Sequence, residues 1–241
     1  MLEAGADTRG WTKERVLRVM LDPEYGLPAG RSLLQVSKDA GSAYGWVHRI
    51  WRDLVDAGAF HDHPKSGQLQ DPPAAFQYWL RHRPPRIMAD YHVLGGLDFL
   101  KSIAQRRDLE YAATTYLAEN LIQGHLFPRR FDLYVKAAQE KVWSSELRTK
   151  GFPIDSTRED RGVIRLITNE HDDRVPDEVA PIPDRLVRLE SRGAWNNPIR
   201  GIWVVRPPLL IVDLFEEGGA CAEAASMLME KTYANTTVHR T

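Results

Sequence analysis

The sequence predicts an α+β protein in which a small helical N-terminal domain precedes a mixed α/β domain. Two observations predict this class. Three short helical segments, each ended by glycine or by proline and glycine, follow one another up to Gly58. Beyond residue 82, segments with strand alternation and segments with helical spacing are mixed along the chain. We therefore expect two domains, at 1–82 and 83–241.

The composition indicates a globular protein of the reducing cytoplasm. The chain has 241 residues, a formal net charge of -1 and one cysteine, Cys221, so neither a disulfide framework nor a cysteine-cluster zinc site is expected. No apolar run has the length of a membrane span, and the N-terminus lacks the pattern of a signal peptide. Because the net charge is close to zero, any DNA binding has to come from a local basic surface.

The N-terminal domain is predicted to hold three helices. Thr12 is expected to cap the first helix, and the second spans Ser32–Ala40 and ends at Gly41. Ser42 is expected to cap the third helix, which spans Ala43–Ala57. The third helix is amphipathic, with an apolar stripe at helical spacing and a polar opposite face. The stripe consists of Val47, Ile50, Trp51, Leu54 and Val55, and the polar face of Gly45, Trp46, His48, Arg49, Arg52, Asp53 and Asp56.

A short hairpin is predicted after the third helix. Its arms are residues 59–63 and 68–70, and Pro64-Lys65-Ser66-Gly67 forms the turn. A fourth helix at 74–82 follows the cap Asp71, and Arg83-Pro84-Pro85-Arg86 reads as a linker. The arginines Arg81, Arg83 and Arg86 form a basic cluster, which either contacts DNA beside a binding site or is a solvent-exposed linker.

Three short helices, a tight Gly41-Ser42 turn and a hairpin resemble the winged helix-turn-helix family over residues 11–70. The resemblance implies that double-stranded DNA is the partner and that the third helix enters its major groove. Arginine can donate two hydrogen bonds to guanine, and a helix N-terminus can hold a phosphate. The side chains expected to read bases are Tyr44, His48, Arg49 and Arg52. The side chains expected to contact phosphate are Lys38, Ser42 and Lys65.

A protein-binding module without DNA binding is the alternative. Asp53 and Asp56 lie on the same helix and would repel DNA if they faced it. Trp46 beside the apolar stripe either packs on the wing or stays free. A homodimer is expected if DNA is the partner, because one short helix reads few base pairs.

The second domain is predicted to alternate between helices and strands. The expected helices are Tyr111–Gln123, Ala137–Thr149, one from Pro207 to the Gly218-Gly219 pair, and Ala220–Lys231. The expected strands are Phe131–Val135, Gly162–Ile167, Leu186–Leu189 and Gly201–Val205.

Three stretches of this domain, at 111–120, 131–135 and 201–214, are similar to the AbiEi-type antitoxins of type IV toxin–antitoxin systems. In the last of them a strand leads into a helix with a buried Asp213-Leu214 pair, and glycines follow. The resemblance implies a repressor that binds its own promoter, with a cognate nucleotidyltransferase-like toxin as partner. Ala220-Cys221 stands where the family would have an arginine, which puts a charge role at that turn in doubt.

A nucleotidyltransferase site is the catalytic alternative, and it needs two carboxylates on one strand to hold two metal ions. The matching positions are Thr114-Thr115 and Asp132-Leu133-Tyr134, where Tyr134 replaces the second carboxylate, and Gly95-Gly96 lies too far upstream. We therefore expect no enzyme and no cofactor, with a degenerate nucleotidyltransferase-like fold as one possibility for the second domain. His61-Asp62-His63 lacks a third ligand, so no metal site is predicted there.

Overall fold

The computed structural model describes residues 7–62, 69–94, 102, 109–128, 130–150, 161–168, 180–181 and 202–234. These residues form a mixed α and β structure that divides into two compact units. The N-terminal unit comprises Met1–Pro85, Pro207–Gly218 and Ala225–Thr241, and the sheet unit comprises Arg86–Arg206 and Gly219–Ala224. Neither unit is continuous in sequence, unlike the expected domains 1–82 and 83–241, because apolar side chains from beyond residue 206 complete the core of the N-terminal unit.

Four helices from the first part of the chain belong to the N-terminal unit. They are α1 (Asp7–Met20), α2 (Leu33–Asp39), α3 (Tyr44–Asp56) and α4 (Pro72–Arg81). The expected start of α1 at Thr12 is wrong, since the helix already includes Asp7. Trp11 is buried, which shows that the early turns of α1 pack against the core.

The turn between α2 and α3 is built from local hydrogen bonds. Ser32 caps α2 in a capping box, in which its Oγ accepts from Gln35 N at 3.3 Å and Gln35 Oε1 accepts from Ser32 N at 2.8 Å. Gly41 takes a φ of 56°, a left-handed conformation that glycine adopts without steric cost. The expected cap at Ser42 is wrong: Ala43 is the N-cap of α3, and no side chain caps this helix.

The chain after α3 returns on itself as the sequence predicts, although the tip of the hairpin lies outside the described residues. Gly58 ends the helix with a φ of 78°, and Phe60 then pairs with Leu69 in an antiparallel bridge. Ala59 O accepts from Gln70 N at 2.8 Å. The turn with Lys65, and with it the phosphate contact expected there, belongs to residues 63–68, which the structure does not describe.

Two helices from the end of the chain complete the core of the N-terminal unit. They are α7 (Pro207–Glu217) and the part of α8 (Ala220–Tyr233) that begins at Ala225. The ring of Phe76 on α4 lies 6.5 Å from that of Phe215 and 6.0 Å from that of Tyr233. The Tyr233 hydroxyl donates to Leu21 O at 2.7 Å. The N-terminal helices therefore share one core with helices that are encoded far downstream.

The sheet unit contains one six-stranded mixed sheet accompanied by two helices. The elements are β1 (Ile87–Leu94), β2 (Tyr111–Thr114), α5 (Thr115–Ile122), β3 (Arg130–Val135), α6 (Glu140–Lys150), β4 (Arg161–Thr168), β5 (Ala180–Pro181) and β6 (Trp203–Val204). The strand order is β1-β4-β3-β2-β6-β5. The neighbouring strands β4 and β3 are parallel, whereas β1 with β4 and β2 with β3 are antiparallel.

The structure of this unit differs from the sequence analysis at β2 and at β1. Tyr111–Thr114 is the strand β2 and not the start of a helix. All four residues are buried, and the strand lies between β3 and β6. Because a fully buried strand has no alternation of apolar and polar residues, the sequence pattern did not indicate a strand here. The strand β1 was not predicted at all. The strand expected at 186–189 lies outside the described residues. Within the described part of the chain, no helix has the length and apolar character that crossing a bilayer requires.

Candidate nucleic-acid interface

The orientation of α3 decides which of its side chains a ligand can reach. Val47, Ile50, Trp51 and Leu54 are buried, as the apolar stripe predicts, although Val55 is only half-buried. The side directly opposite is exposed along the whole helix and consists of Gly45, Arg49, Arg52 and Asp56. We call these four residues the outer face of α3. Two of the side chains expected to read bases, Arg49 and Arg52, therefore point to solvent within the N-terminal unit.

Tyr44 and His48 lie on one flank of α3 and not on its outer face. Tyr44 is 48% exposed, whereas His48 is half-buried. The His48 ring lies between two others, with its centroid 6.1 Å from Tyr44 and 5.5 Å from Trp51. His48 is thus partly engaged in packing, and Tyr44 is the more accessible of the two.

Both arginines of the outer face lie near aromatic rings. The guanidinium carbon of Arg49 is 5.9 Å from the ring centroid of Trp46, and that of Arg52 is 5.7 Å from that of Trp51. Trp46 is half-buried beside Arg49. Arg52 also pairs with Asp62 at 2.5 Å, where the two side chains are 48% and 68% exposed. A pair as exposed as this contributes at most about 1 kcal/mol, so a phosphate or a base can displace the carboxylate at little cost.

Asp53, which would repel DNA from the outer face, is instead bound within the domain. Tyr78 on α4 donates a hydrogen bond to Asp53 Oδ2 at 2.7 Å. Burial, that hydrogen bond and the charge of Asp53 all raise the pKa of Tyr78. The ammonium of Lys13 lies 5.3 Å from the Tyr78 ring centroid. Burial lowers the pKa of Lys13, and the charge of Asp53 offsets part of this decrease. Of the two acids on α3, only Asp56 is on the outer face, at its C-terminal end.

The side chains expected to contact phosphate differ in their surroundings. Lys38 is exposed on α2, and Ser42 is half-buried in the turn before α3, where its N–H donates to Ser37 O at 2.9 Å. Because no side chain caps α3, the Ser42 hydroxyl is not committed to the first turn of that helix. Lys38 therefore lies in the last turn of α2, and Ser42 lies within the turn that leads into α3.

The arginines Arg81, Arg83 and Arg86 do not form a common exposed basic cluster. Arg83 is buried, since only 3% of its side chain is exposed. Its guanidinium pairs with Asp213 and Glu216 on α7. A carboxylate oxygen of Glu14 on α1 lies 3.8 Å from Arg83 Nε. Arg86, in the sheet unit, donates to the Tyr134 hydroxyl at 2.6 Å and is half-buried. Only Arg81 is exposed. The buried Asp213-Leu214 pair that the sequence predicts is confirmed, and Arg83 is its partner.

The positions that match a nucleotidyltransferase lie at one place in the sheet unit. β2, α5 and β3 follow one another, and Thr115 on α5 donates its hydroxyl to the fully buried Asp132 on β3. Arg130 donates to the same carboxylate, from Nε at 2.5 Å and from Nη2 at 2.9 Å. Thr115 has a φ of 45°, which is costly for a β-branched residue, and its bond to Asp132 helps to hold it. The Asp132 carboxylate thus accepts hydrogen bonds from a cation and from a hydroxyl.

A nucleotidyltransferase-like metal site would need a second carboxylate beside Asp132. The register positions next to Asp132 on the neighbouring strands are Thr114 and Arg165, and neither is a carboxylate. Among the residues that the structure describes, no group of three or more His, Cys, Asp or Glu side chains is arranged to hold a metal. The contacts that the structure shows for Asp132 are those of a buried ion pair with Arg130.

Replacing Asp132 by alanine is expected to lower the free energy of unfolding by about 3–5 kcal/mol, because Arg130 is left without its counter-ion in a largely buried position. Urea denaturation followed by circular dichroism measures the loss. Asp90→Ala is the matched control, since it removes a carboxylate from the more exposed pair with Arg165 and should cost about 1 kcal/mol or less. Equal losses for the two variants would show that Asp132 is not a buried structural partner.

Sequence reasoning missed three contacts that shape this surface: those of Tyr78 with Asp53, of Asp62 with Arg52, and of Arg83 with α7. The partners are 25, 10 and 130 positions apart for Tyr78–Asp53, Asp62–Arg52 and Arg83–Asp213, so a helix or strand pattern does not indicate them. The one available signal was the isolated Asp213 within an apolar helix, which requires a buried cation as partner.

Comparison of the chain with protein-family models, with curated proteins and with solved structures found no match to any of them.

Proposed function

We propose that this protein is a DNA-binding transcriptional regulator, in which α1, α2, α3 and the Phe60–Leu69 bridge form a winged helix-turn-helix with α3 as the recognition helix. One observation carries the proposal. The outer face of α3 exposes Arg49 and Arg52, while the apolar stripe is buried and Asp53 is bound by Tyr78. A recognition helix needs this division between a buried stripe and an accessible polar face.

The contacts of the two arginines support base readout. The Trp46 and Trp51 rings restrict the guanidinium groups that lie near them, so less side-chain entropy is lost when DNA binds. When DNA binds, Arg52 releases the exposed carboxylate of Asp62 and donates its hydrogen bonds to an acceptor on DNA instead. Arg49 and Arg52 are one helical turn apart, which suits contacts to neighbouring base edges.

The class of regulator follows from the resemblance to AbiEi-type antitoxins. In this proposal the protein represses its own promoter and has a nucleotidyltransferase-like toxin as partner, and the sheet unit has no catalytic role. The engagement of the Asp132 carboxylate by Arg130 and Thr115 agrees with a degenerate nucleotidyltransferase-like fold for that unit.

A protein-interaction module is the second candidate, and the exposed apolar side chains around α2 and α3 favour it. Leu34 on α2 is 52% exposed, and Tyr44 at the start of α3 is exposed to a similar extent. Both are large apolar groups on the helices that would face DNA. A protein ligand would use them as anchors, and then the arginines of the outer face would be of minor importance.

Electrophoretic mobility shift with the DNA upstream of the gene tests the proposal. Arg49→Ala and Arg52→Ala are each expected to weaken binding by about 1–3 kcal/mol, which is roughly 5- to 150-fold, because each removes a bidentate contact to a base. Both variants should bind the upstream DNA with less preference over a scrambled sequence. Lys38→Ala should instead weaken binding to both sequences alike, and it should reduce the slope of log K against log salt concentration by about one.

Lys231→Ala is the control, since it removes the same charge from an exposed position on α8. It is expected to bind like the unmodified chain. Affinity that is unaffected by Arg49→Ala and Arg52→Ala, or the absence of any shift with upstream DNA, contradicts the proposal and favours the protein-interaction module.

A further inference from the structure

The strand β1 forms one end of the six-stranded sheet. It pairs with β4 on one side along its full length, from Ile87 opposite Thr168 to Leu94 opposite Arg161. No other strand in the described part of the chain pairs with its second edge. Backbone N–H and C=O groups along such an edge are ready to pair with a further strand.

The residues of this strand lack the side-chain features by which proteins usually protect an exposed strand. Its eight residues contain no proline, glycine or lysine. Its one acid, Asp90, is held by Arg165 through two bonds, Nε–Oδ1 at 2.6 Å and Nη2–Oδ2 at 2.8 Å, and the hydrogen bond from Arg165 lowers the pKa of Asp90. Ile87 and Met88 expose large apolar side chains. The strand therefore favours association over repulsion.

The order of residues in β1 is complementary to itself about Tyr91. In an antiparallel pair with Tyr91 opposite the partner's Tyr91, the apolar residues Ala89 and Met88 lie opposite the partner's Val93 and the partner's Leu94. Asp90 lies opposite the partner's His92, and symmetry repeats this carboxylate–imidazole pair. Opposed side chains of opposite charge or of apolar character stabilise a strand pair. A register centred on Asp90 would instead place two carboxylates opposite each other.

We propose that the chain forms a homodimer in which β1 pairs antiparallel with β1 of a second copy, centred on Tyr91, so that the two sheets become continuous. The occupant is a second copy because the self-complementary order of the strand fits its own reverse. This inference does not depend on DNA binding, since every observation that carries it lies in the sheet unit.

Cysteine crosslinking of the full chain tests the register. In an antiparallel pair the Cα atoms of opposed residues lie about 4.5–5.5 Å apart, which a disulfide spans, so Tyr91→Cys should give a covalent dimer on mild oxidation. Met88→Cys is the matched control: in this register the two copies of residue 88 are six positions apart, about 20 Å, and should not crosslink. The native Cys221 is buried and does not compete.

The solution mass provides a second test that does not depend on the Tyr91–Ser144 contact, which Tyr91→Cys removes. Analytical ultracentrifugation of the unmodified chain should give twice the 27.5 kDa of one copy. His92→Asp should shift the mass to that of a monomer, because it opposes two carboxylates at both symmetric positions, whereas His92→Asn should remain a dimer. A monomeric unmodified chain would overturn the proposal. A second contradicting result is a dimer that His92→Asp leaves intact, together with a correctly folded Tyr91→Cys variant that does not crosslink.

Discussion

Replacing Arg83 by methionine is expected to lower the free energy of unfolding of the N-terminal unit by about 3–5 kcal/mol. Arg83 is almost fully buried, it pairs with the buried Asp213 and with Glu216 at 2.6 Å, and Glu14 is close to its Nε. Methionine fills much of the same volume but leaves Asp213 as a buried charge without its cation. Such a charge costs more than the ion pair contributed, because desolvation is no longer compensated.

Chemical denaturation followed by tryptophan fluorescence measures this loss. Arg81→Met serves as the control, since Arg81 is exposed two residues earlier and should change stability by about 0.5 kcal/mol or less. The double variant Arg83→Met, Asp213→Leu should recover a large part of the stability, because it removes both charges together. If the single variant unfolds at the same urea concentration as the unmodified chain, Arg83 is not the counter-ion of Asp213.

Ending the chain after Arg206 is expected to abolish the cooperative unfolding of the N-terminal unit. The truncation removes α7 and α8, and with them Phe215, Tyr233 and the hydrogen bond from Tyr233 to Leu21 O. Each large apolar side chain buried on folding contributes about 1.5–3 kcal/mol. Several such side chains together equal the roughly 5–15 kcal/mol by which a whole domain is stable. Phe76 and the Arg83 guanidinium would also lose their partners.

Thermal unfolding by differential scanning calorimetry distinguishes the outcomes. A chain that ends after residue 234 is the matched control, since it keeps all of α8 and should unfold with the same transition as the full chain. A chain that ends at Arg206 and still shows cooperative unfolding of the N-terminal helices, with normal tryptophan fluorescence, would prove that residues 1–85 form a complete domain.

The parts of the fold that the sequence predicts correctly depend on local interactions. The start of the second helix at Ser32, its end at Gly41 and the apolar stripe of α3 all depend on partners within a few residues. The exposure of Arg49 and Arg52 follows from that stripe, so the centre of the candidate interface is predictable as well.

The parts that the sequence does not reveal depend on distant partners. Arg83 reads as a linker residue until Asp213, 130 positions later, provides its counter-ion. The alanine-rich segment 111–114 has helix-favouring residues, yet the surrounding strands make it a buried strand. Asp53 reads as a charge that opposes DNA until Tyr78 binds it. In each case tertiary contacts override the local pattern.

The shared core of the N-terminal helices and the C-terminal helices constrains when the N-terminal unit can fold during synthesis. Arg83 leaves the ribosome 130 residues before Asp213, which is roughly 6 to 26 s at the usual rates of elongation. During that interval Phe76 and Leu21 have no C-terminal partners, and exposed apolar surface of this kind is what chaperones bind. The N-terminal unit, α3 included, is therefore expected to reach its stable fold only after α7 and α8 have been synthesised.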